Sequence, residues 1–135
     1  MHSRRIAGVN ASLFFFFWFI VLLAGADFPP PVGFLWLVIM IAACASVVYW
    51  RVPIYIDWYH AQRPRRIWRI IFDGIAAGIV VAVPFVLKGS SEGSITMQPV
   101  AYAIWFALLG FVGALNSMGI YFLNTLVFRI VDPEK

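Results

Sequence analysis

The sequence predicts an all-α membrane protein, a bundle of four transmembrane helices with both termini in the cytoplasm. Of its 135 residues 63% are hydrophobic and only 12% are charged, and the hydrophobic residues fall into four long runs. Soluble domains are about half apolar and about a quarter charged, so a soluble fold of this size would not enclose so much apolar surface. The positions of the basic residues predict the orientation.

The four hydrophobic runs approach the roughly 20 residues that a helix needs to cross a bilayer. None shows the alternation of a barrel strand, and a helix satisfies its own backbone hydrogen bonds in lipid. The predicted helices cover about residues 9–26, 33–50, 70–87 and 99–128, with a proline-rich turn and a polar Gly/Ser loop among the connections. We interpret residues 1–135 as a single integral membrane domain.

The first hydrophobic run has two interpretations. It follows MHSRR and ends in Ala24-Gly25-Ala26, a pattern similar to a secretory signal peptide with a small-residue cleavage site. We expect the run to be retained as the first transmembrane helix. Cleavage is the alternative, and it would leave the rest of the topology unchanged.

Basic residues lie almost entirely on one side of the predicted bundle. Four crossings place residues 1–8, 51–69 and 129–135 together, and these carry nine of the ten Lys and Arg residues, Lys88 being the exception. Cytoplasmic flanks of membrane helices are enriched in Lys and Arg. Both termini are therefore expected inside, in a bacterial cytoplasmic membrane, with an organelle membrane as the alternative host.

The segment RVPIYIDWYHAQRPRRIWR, residues 51–69, joins the second and third predicted helices and carries five arginines. We expect an interfacial loop or short helix, because Tyr55, Trp58, Tyr59 and Trp68 suit the headgroup level. It is either a topology anchor attracted to anionic lipid, or a docking site for a soluble partner or a particular headgroup. The residues expected to make these contacts are Arg51, Trp58, Arg63, Arg65, Arg66, Trp68 and Arg69.

Asp73 is the one acidic residue inside a predicted transmembrane run. Ionisable groups inside membranes are costly and often mark an ion or substrate path. Asp73 also lies four residues after Arg69 and seven after Arg66, and the first spacing allows an interfacial ion pair. Both roles remain open on the sequence.

Small and polar residues predict helix contacts in the second half of the chain. Gly74 and Gly78 are four residues apart, which permits close approach of another helix. The fourth run, residues 99–128, measures about 45 Å as a helix, so it must tilt, project from the bilayer or break around Gly110–Gly119. One of its faces carries Gly110, Gly113, Ser117, Tyr121 and Asn124, with Asn116 beside it. This face is interpreted as a packing surface. Alternatively, together with Asp73, it is the polar lining of an ion or substrate path.

No catalytic motif or cluster of metal-ligating residues is present, and Cys44 is the single cysteine, so neither enzyme activity nor a cofactor or metal is predicted. The basic charge is explained by the membrane rather than by nucleic acid. The predicted function is a non-catalytic accessory, assembly or interaction subunit of a larger membrane complex. The alternative is a small homo-oligomeric transporter or channel that uses Asp73 and the polar face of the fourth helix.

Overall fold

The computed structural model describes residues 2–26, 33–59, 63–91 and 98–128, with the backbone alone for residues 2 and 63–66. Within these ranges the chain forms four α-helices and one π-helix. The α-helices are α1 (His2–Gly25), α2 (Phe34–Tyr59), α3 (Arg63–Ser91) and α4 (Pro99–Phe122), and the π-helix covers Leu123–Val127.

Each of the four α-helices contains a stretch that is long and apolar enough to cross a membrane. These stretches are Ser3–Gly25, Phe34–Tyr59, Ile67–Ser91 and Pro99–Val127, the last including the π-helix. The prediction of an all-helical chain with four such helices is confirmed, and the chain has the build of a multi-pass integral membrane protein. At 23–29 residues, the stretches measure about 35–44 Å and exceed a hydrocarbon core of about 30 Å.

The helices extend beyond the ends predicted from hydropathy, most clearly in the basic segment. Residues 51–59 continue α2, and residues 63–69 form the first two turns of α3, so a separate interfacial loop is not confirmed. Only residues 60–62 of the segment's interior lie outside the described residues. Hydropathy marks where a helix meets hydrocarbon, whereas Arg is a good helix former and continues the helix past that level.

The polar end of α3 also reaches further than predicted. Residues 88–91 were expected in a Gly/Ser loop but are helical. The Ser91 hydroxyl donates to the Lys88 carbonyl at 2.8 Å, and the hydroxyls of Ser90 and Tyr102 lie 3.2 Å apart, which connects this end to α4. The rest of that loop and the proline-rich turn fall on residues 92–97 and 27–32, outside the described residues.

The break considered for the fourth helix at Gly110–Gly119 does not occur. α4 is continuous to Phe122, and the helix type changes at Leu123 instead. The Phe128 N–H donates to the Leu123 carbonyl at 3.2 Å, the five-residue spacing of a π-helix. The long fourth run is therefore a continuous helix, with one widened turn at its C-terminal end.

The described structure divides into two compact units, Met1–Asp57 and Trp58–Lys135, whose boundary lies inside α2. The single-domain assignment stays a prediction.

In the first unit, α1 and α2 line an open groove of about 520 Å³ with small residues such as Ala11 and Ala45 and aromatic residues such as Phe15 and Trp50.

In the second unit, α3 and α4 pack against each other in antiparallel directions. The Phe85 and Trp105 rings lie 5.2 Å apart near one end, and Gly74 lies against Gly113 towards the other. From the first pair to the second, the residue number decreases in α3 and increases in α4, which makes the two helices antiparallel. This antiparallel pair positions the candidate site.

Candidate functional site

The predicted small and polar face of the fourth helix lies on the protected side of α4. Gly110, Ser117, Tyr121 and Asn124 are buried, and Gly113 is half-buried. Their spacings of three and four residues place them on one helical face. The glycine end of this face packs on α3, and the tyrosine–asparagine end packs on Tyr59.

At the glycine end, the backbones of α3 and α4 are in direct contact. A Cβ atom added to Gly74 would lie 2.5 Å from the carbonyl oxygen of Gly113, and one added to Gly113 would lie 3.0 Å from the Cα of Gly78. Gly78 in turn lies so close to Leu109 that an added Cβ would be 2.8 Å from its carbonyl carbon. Small residues permit such close packing of membrane helices.

Gly110 differs from the other three glycines of this contact. A Cβ added there would lie 3.6 Å from the Ile75 Cγ2 and Ile79 Cγ1 atoms, which is ordinary van der Waals separation. Its burial therefore does not require the absence of a side chain. Gly110 supplies a matched comparison for Gly113, three residues away on the same helix.

Asp73 lies at the edge of the glycine contact, next to Gly74 in sequence. Its side chain is half-buried, and Arg69, one turn earlier, is exposed. A Cβ added to Gly74 itself would lie 2.7 Å from the Ser117 Cβ, so Ser117 of α4 lies against Gly74. The proposed ion pair of Asp73 with Arg69 stays a prediction, and the side chain of Arg66 lies outside the described part of the chain.

The opposite end of the face is a buried cluster of Tyr59, Tyr121 and Asn124. The Asn124 side-chain amide donates to the Tyr59 hydroxyl at 3.1 Å. The two tyrosine rings lie 5.4 Å apart at 73°, an edge-to-face arrangement. Because Tyr59 and Asn124 are both 0% exposed, this hydrogen bond forms away from solvent, where leaving either group unsatisfied is costly.

The headgroup level expected for Tyr59 and Tyr55 stays a prediction, whereas the burial of both side chains was not foreseen. Tyr59 is 0% and Tyr55 is 3% exposed. The sequence does contain a signal of this burial. Spacings of three and four place Val52, Tyr55 and Tyr59 on one helical face, and all three are buried. The second helix was predicted to end at residue 50, but α2 continues to Tyr59 with Pro53 inside it.

The π-helix contains Asn124 and follows Tyr121 directly. A widened turn disturbs the regular carbonyl pairing of an α-helix, and π-turns are frequent at functional sites. The Thr125 hydroxyl donates to the Tyr121 carbonyl at 2.8 Å and so supplies a hydrogen bond at the change of helix type. No sequence motif of the kind considered above predicts this turn.

Asn116 lies beside the buried face rather than on it. Its side chain is half-buried, and its amide donates to the Val112 carbonyl at 2.8 Å, one turn earlier on the same helix. This bond stays within α4. Of the polar residues predicted to share a path, the structure thus brings Ser117, Tyr121 and Asn124 to the buried face and leaves Asn116 at its side.

The residues predicted to dock lipid or a partner lie near the end of α2 and the start of α3. Arg51 and Trp58 are half-buried, whereas Trp68 and Arg69 are exposed. The rings of Trp68 and Phe72 lie 6.0 Å apart, and Phe72 is a neighbour that the sequence analysis did not single out. For Arg63, Arg65 and Arg66 the backbone places the residues in the first turns of α3.

The arrangement of these groups favours helix association. Among the described residues, no group of three or more His, Cys, Asp or Glu side chains is placed to hold a metal ion. In the cluster, the Asn124 amide bonds the Tyr59 hydroxyl, and the Tyr121 ring contacts the Tyr59 ring. Their evident role is to fix the end of α2 to the end of α4 within the second unit.

Comparisons with known proteins add no relative, since no family model, curated protein or solved structure matches the chain.

Proposed function

We propose that this chain is a small non-catalytic membrane protein that acts as an accessory, assembly or interaction subunit of a larger membrane complex. One observation supports this above the others: the polar face of α4 is enclosed by the chain's own helices. Ser117, Tyr121 and Asn124 are 5%, 8% and 0% exposed. This low exposure supports a role in internal packing and argues against a solute path along this face.

The outward faces of the helices are strongly apolar. The large exposed side chains include Phe16 and Ile20 on α1, Val80 on α3, and Ile104 and Phe111 on α4, each 58–69% exposed. Such faces lie against lipid or against other membrane helices, where association depends on packing. A subunit would use part of this surface for its partners, which are other membrane proteins or further copies of the chain.

The proposal includes a location in a bacterial cytoplasmic membrane with both termini inside. The distribution of Lys and Arg supports it, since nine of the ten lie on the side that would be cytoplasmic. Fusions to the C-terminus test the orientation: green fluorescent protein should fluoresce and alkaline phosphatase should be inactive. The reverse pattern would contradict an inside C-terminus.

Reconstitution tests the non-transporting role. The purified protein alone is placed in liposomes, and proton and potassium fluxes are followed with dyes, with an ionophore as positive control. We expect fluxes equal to those of protein-free liposomes, because the polar side chains of α4 are enclosed. Solute movement by the protein alone would contradict the accessory role.

A small homo-oligomeric transporter or channel is the second candidate, and the position of Asp73 favours it. Asp73 is half-buried within the candidate span Ile67–Ser91. A carboxyl group inside a membrane is energetically costly, and such groups often mark an ion or substrate path. Such a protein would show a flux that Asp73→Asn abolishes. The matched control is Asp57→Asn, which removes the same charge from an exposed position on α2. Loss of flux in the first variant alone would establish this alternative.

A further inference from the structure

The first turns of α3 carry an exposed pair of aromatic rings at the start of a candidate membrane span. Trp68 is 57% and Phe72 is 63% exposed, and their ring centroids lie 6.0 Å apart at 32°. The span begins at Ile67. Trp at this level is typical of the membrane interface, where one edge of the ring contacts acyl chains and the other contacts headgroups.

Basic residues accompany these rings on the same helix. Arg69 is exposed and lies between Trp68 and Phe72 in sequence. Positions 65 and 66 lie four and three residues before it, which makes them its neighbours on the helix surface. Residues 63–73 contain four arginines and one acid, Asp73. The start of α3 therefore concentrates positive charge beside exposed rings.

Depth along the helix separates the cation from the acid. At 1.5 Å per residue, Arg69 lies about 3 Å and Asp73 about 9 Å beyond the start of the span. Asp73 is half-buried, whereas Arg69 is exposed. A phosphate at the headgroup level would therefore reach Arg69 before it meets the carboxyl group.

We propose that Trp68, Arg69 and Phe72 form a binding site for one anionic phospholipid, which we call the α3 lipid site. The Arg69 guanidinium binds the lipid phosphate, for which its planar donors are suited. Trp68 and Phe72 contact the glycerol and upper acyl region of the same lipid. Charge complementarity and the position at the start of a span favour a lipid over a soluble protein. The inference is independent of the proposed accessory function.

Binding of one lipid at a site and general attraction to anionic membranes depend on different residues. General attraction depends on charge alone, so every exposed arginine on that side should contribute about equally. A site additionally requires the rings next to Arg69. The chain offers matched controls for both: Arg5 is an exposed arginine on α1, and Phe111 is 62% exposed on α4.

Native mass spectrometry of the purified full-length protein tests the site by titration with phosphatidylglycerol and, separately, phosphatidylcholine. The wild type should retain one phosphatidylglycerol in preference to phosphatidylcholine. Arg69→Gln should weaken the Kd for phosphatidylglycerol about fivefold, the equivalent of one basic residue near the membrane surface. Phe72→Leu should also weaken it, whereas Arg5→Gln and Phe111→Leu should stay within about twofold of wild type.

Two results would overturn the site. Equal losses in Arg69→Gln and Arg5→Gln, with none in Phe72→Leu, would indicate general attraction only. Normal lipid binding in both Arg69→Gln and Phe72→Leu, with loss of a co-purifying protein, would make the patch a protein-docking surface instead. Arg69→Lys keeps the charge and should retain part of the affinity. Unchanged circular dichroism in all variants excludes loss by unfolding.

Discussion

Replacing Gly113 by alanine should loosen the contact between α3 and α4, whereas the same change at Gly110 should not. A Cβ at residue 113 would lie 3.0 Å from the Cα of Gly78 and even closer to the Gly74 carbonyl oxygen. Both obstacles are backbone atoms, which cannot rotate away as a side chain can. The helices would have to separate.

The magnitude follows from comparing the two positions. Gly→Ala inside a helix gains about 1 kcal/mol from helix propensity, and this gain applies to both variants, so it cancels in the difference. What remains is the overpacking at residue 113, typically about 1–3 kcal/mol. At residue 110 the added methyl makes ordinary contact, 3.6 Å from the Ile75 and Ile79 side chains. Gly113→Ala should therefore be about 1–3 kcal/mol less stable than Gly110→Ala.

The free energy of unfolding is measured for each purified variant by titrating detergent micelles with dodecyl sulfate and following tryptophan fluorescence. Gly78→Ala should behave like Gly113→Ala, since its Cβ would meet the Leu109 carbonyl. Gly119→Ala should behave like Gly110→Ala, because nothing lies within 4 Å of its added Cβ. If all four variants unfold within about 0.5 kcal/mol of one another, the inferred backbone contact is refuted.

Three further predictions concern hydrogen bonds and rings of the second unit. Tyr59→Phe should cost about 1–3 kcal/mol by leaving the buried Asn124 amide without its phenol acceptor, and a double-mutant cycle with Asn124→Leu should give strong coupling. Additive losses would contradict that bond. Thr125→Val should cost about 0.5–1.5 kcal/mol and speed amide hydrogen exchange near the π-helix, because it removes the bond to the Tyr121 carbonyl; unchanged exchange would contradict this role. Phe85→Leu should cost about 0.5–1.5 kcal/mol beyond its lost area by removing the ring contact with Trp105. That contact is unimportant if a double-mutant cycle with Trp105→Leu shows no coupling.

The four candidate membrane spans were predictable because hydropathy reports directly on what a lipid-facing helix requires. Their ends were less predictable, since a helix continues past the hydrocarbon wherever local residues permit. Residues 51–59 and 63–69 looked like a loop because they are charged, yet they extend α2 and α3. Residues 88–91 looked like a loop because of Gly and Ser, yet the Ser90–Tyr102 and Ser91–Lys88 contacts accompany helical backbone there.

The candidate site was predictable on one helix and not on its partner. The spacing of residues 110, 113, 117, 121 and 124 marks a single face of α4 without any structure. The burial of its partner on α2, Tyr59, was missed, because tyrosine suits both an interface and a buried hydrogen bond. Only tertiary packing distinguishes the two environments, and here Tyr59 is fully buried. The π-helix at Leu123–Val127 carries no comparable sequence signal.

The most direct test of the accessory role is native mass spectrometry of the affinity-tagged chain, extracted gently from its own membrane in two different detergents. The proposal predicts this chain together with a different membrane polypeptide at one fixed ratio in both detergents. A homo-oligomer alone in both would contradict the accessory role and favour the transporter alternative, with Asp73 as the first residue to change.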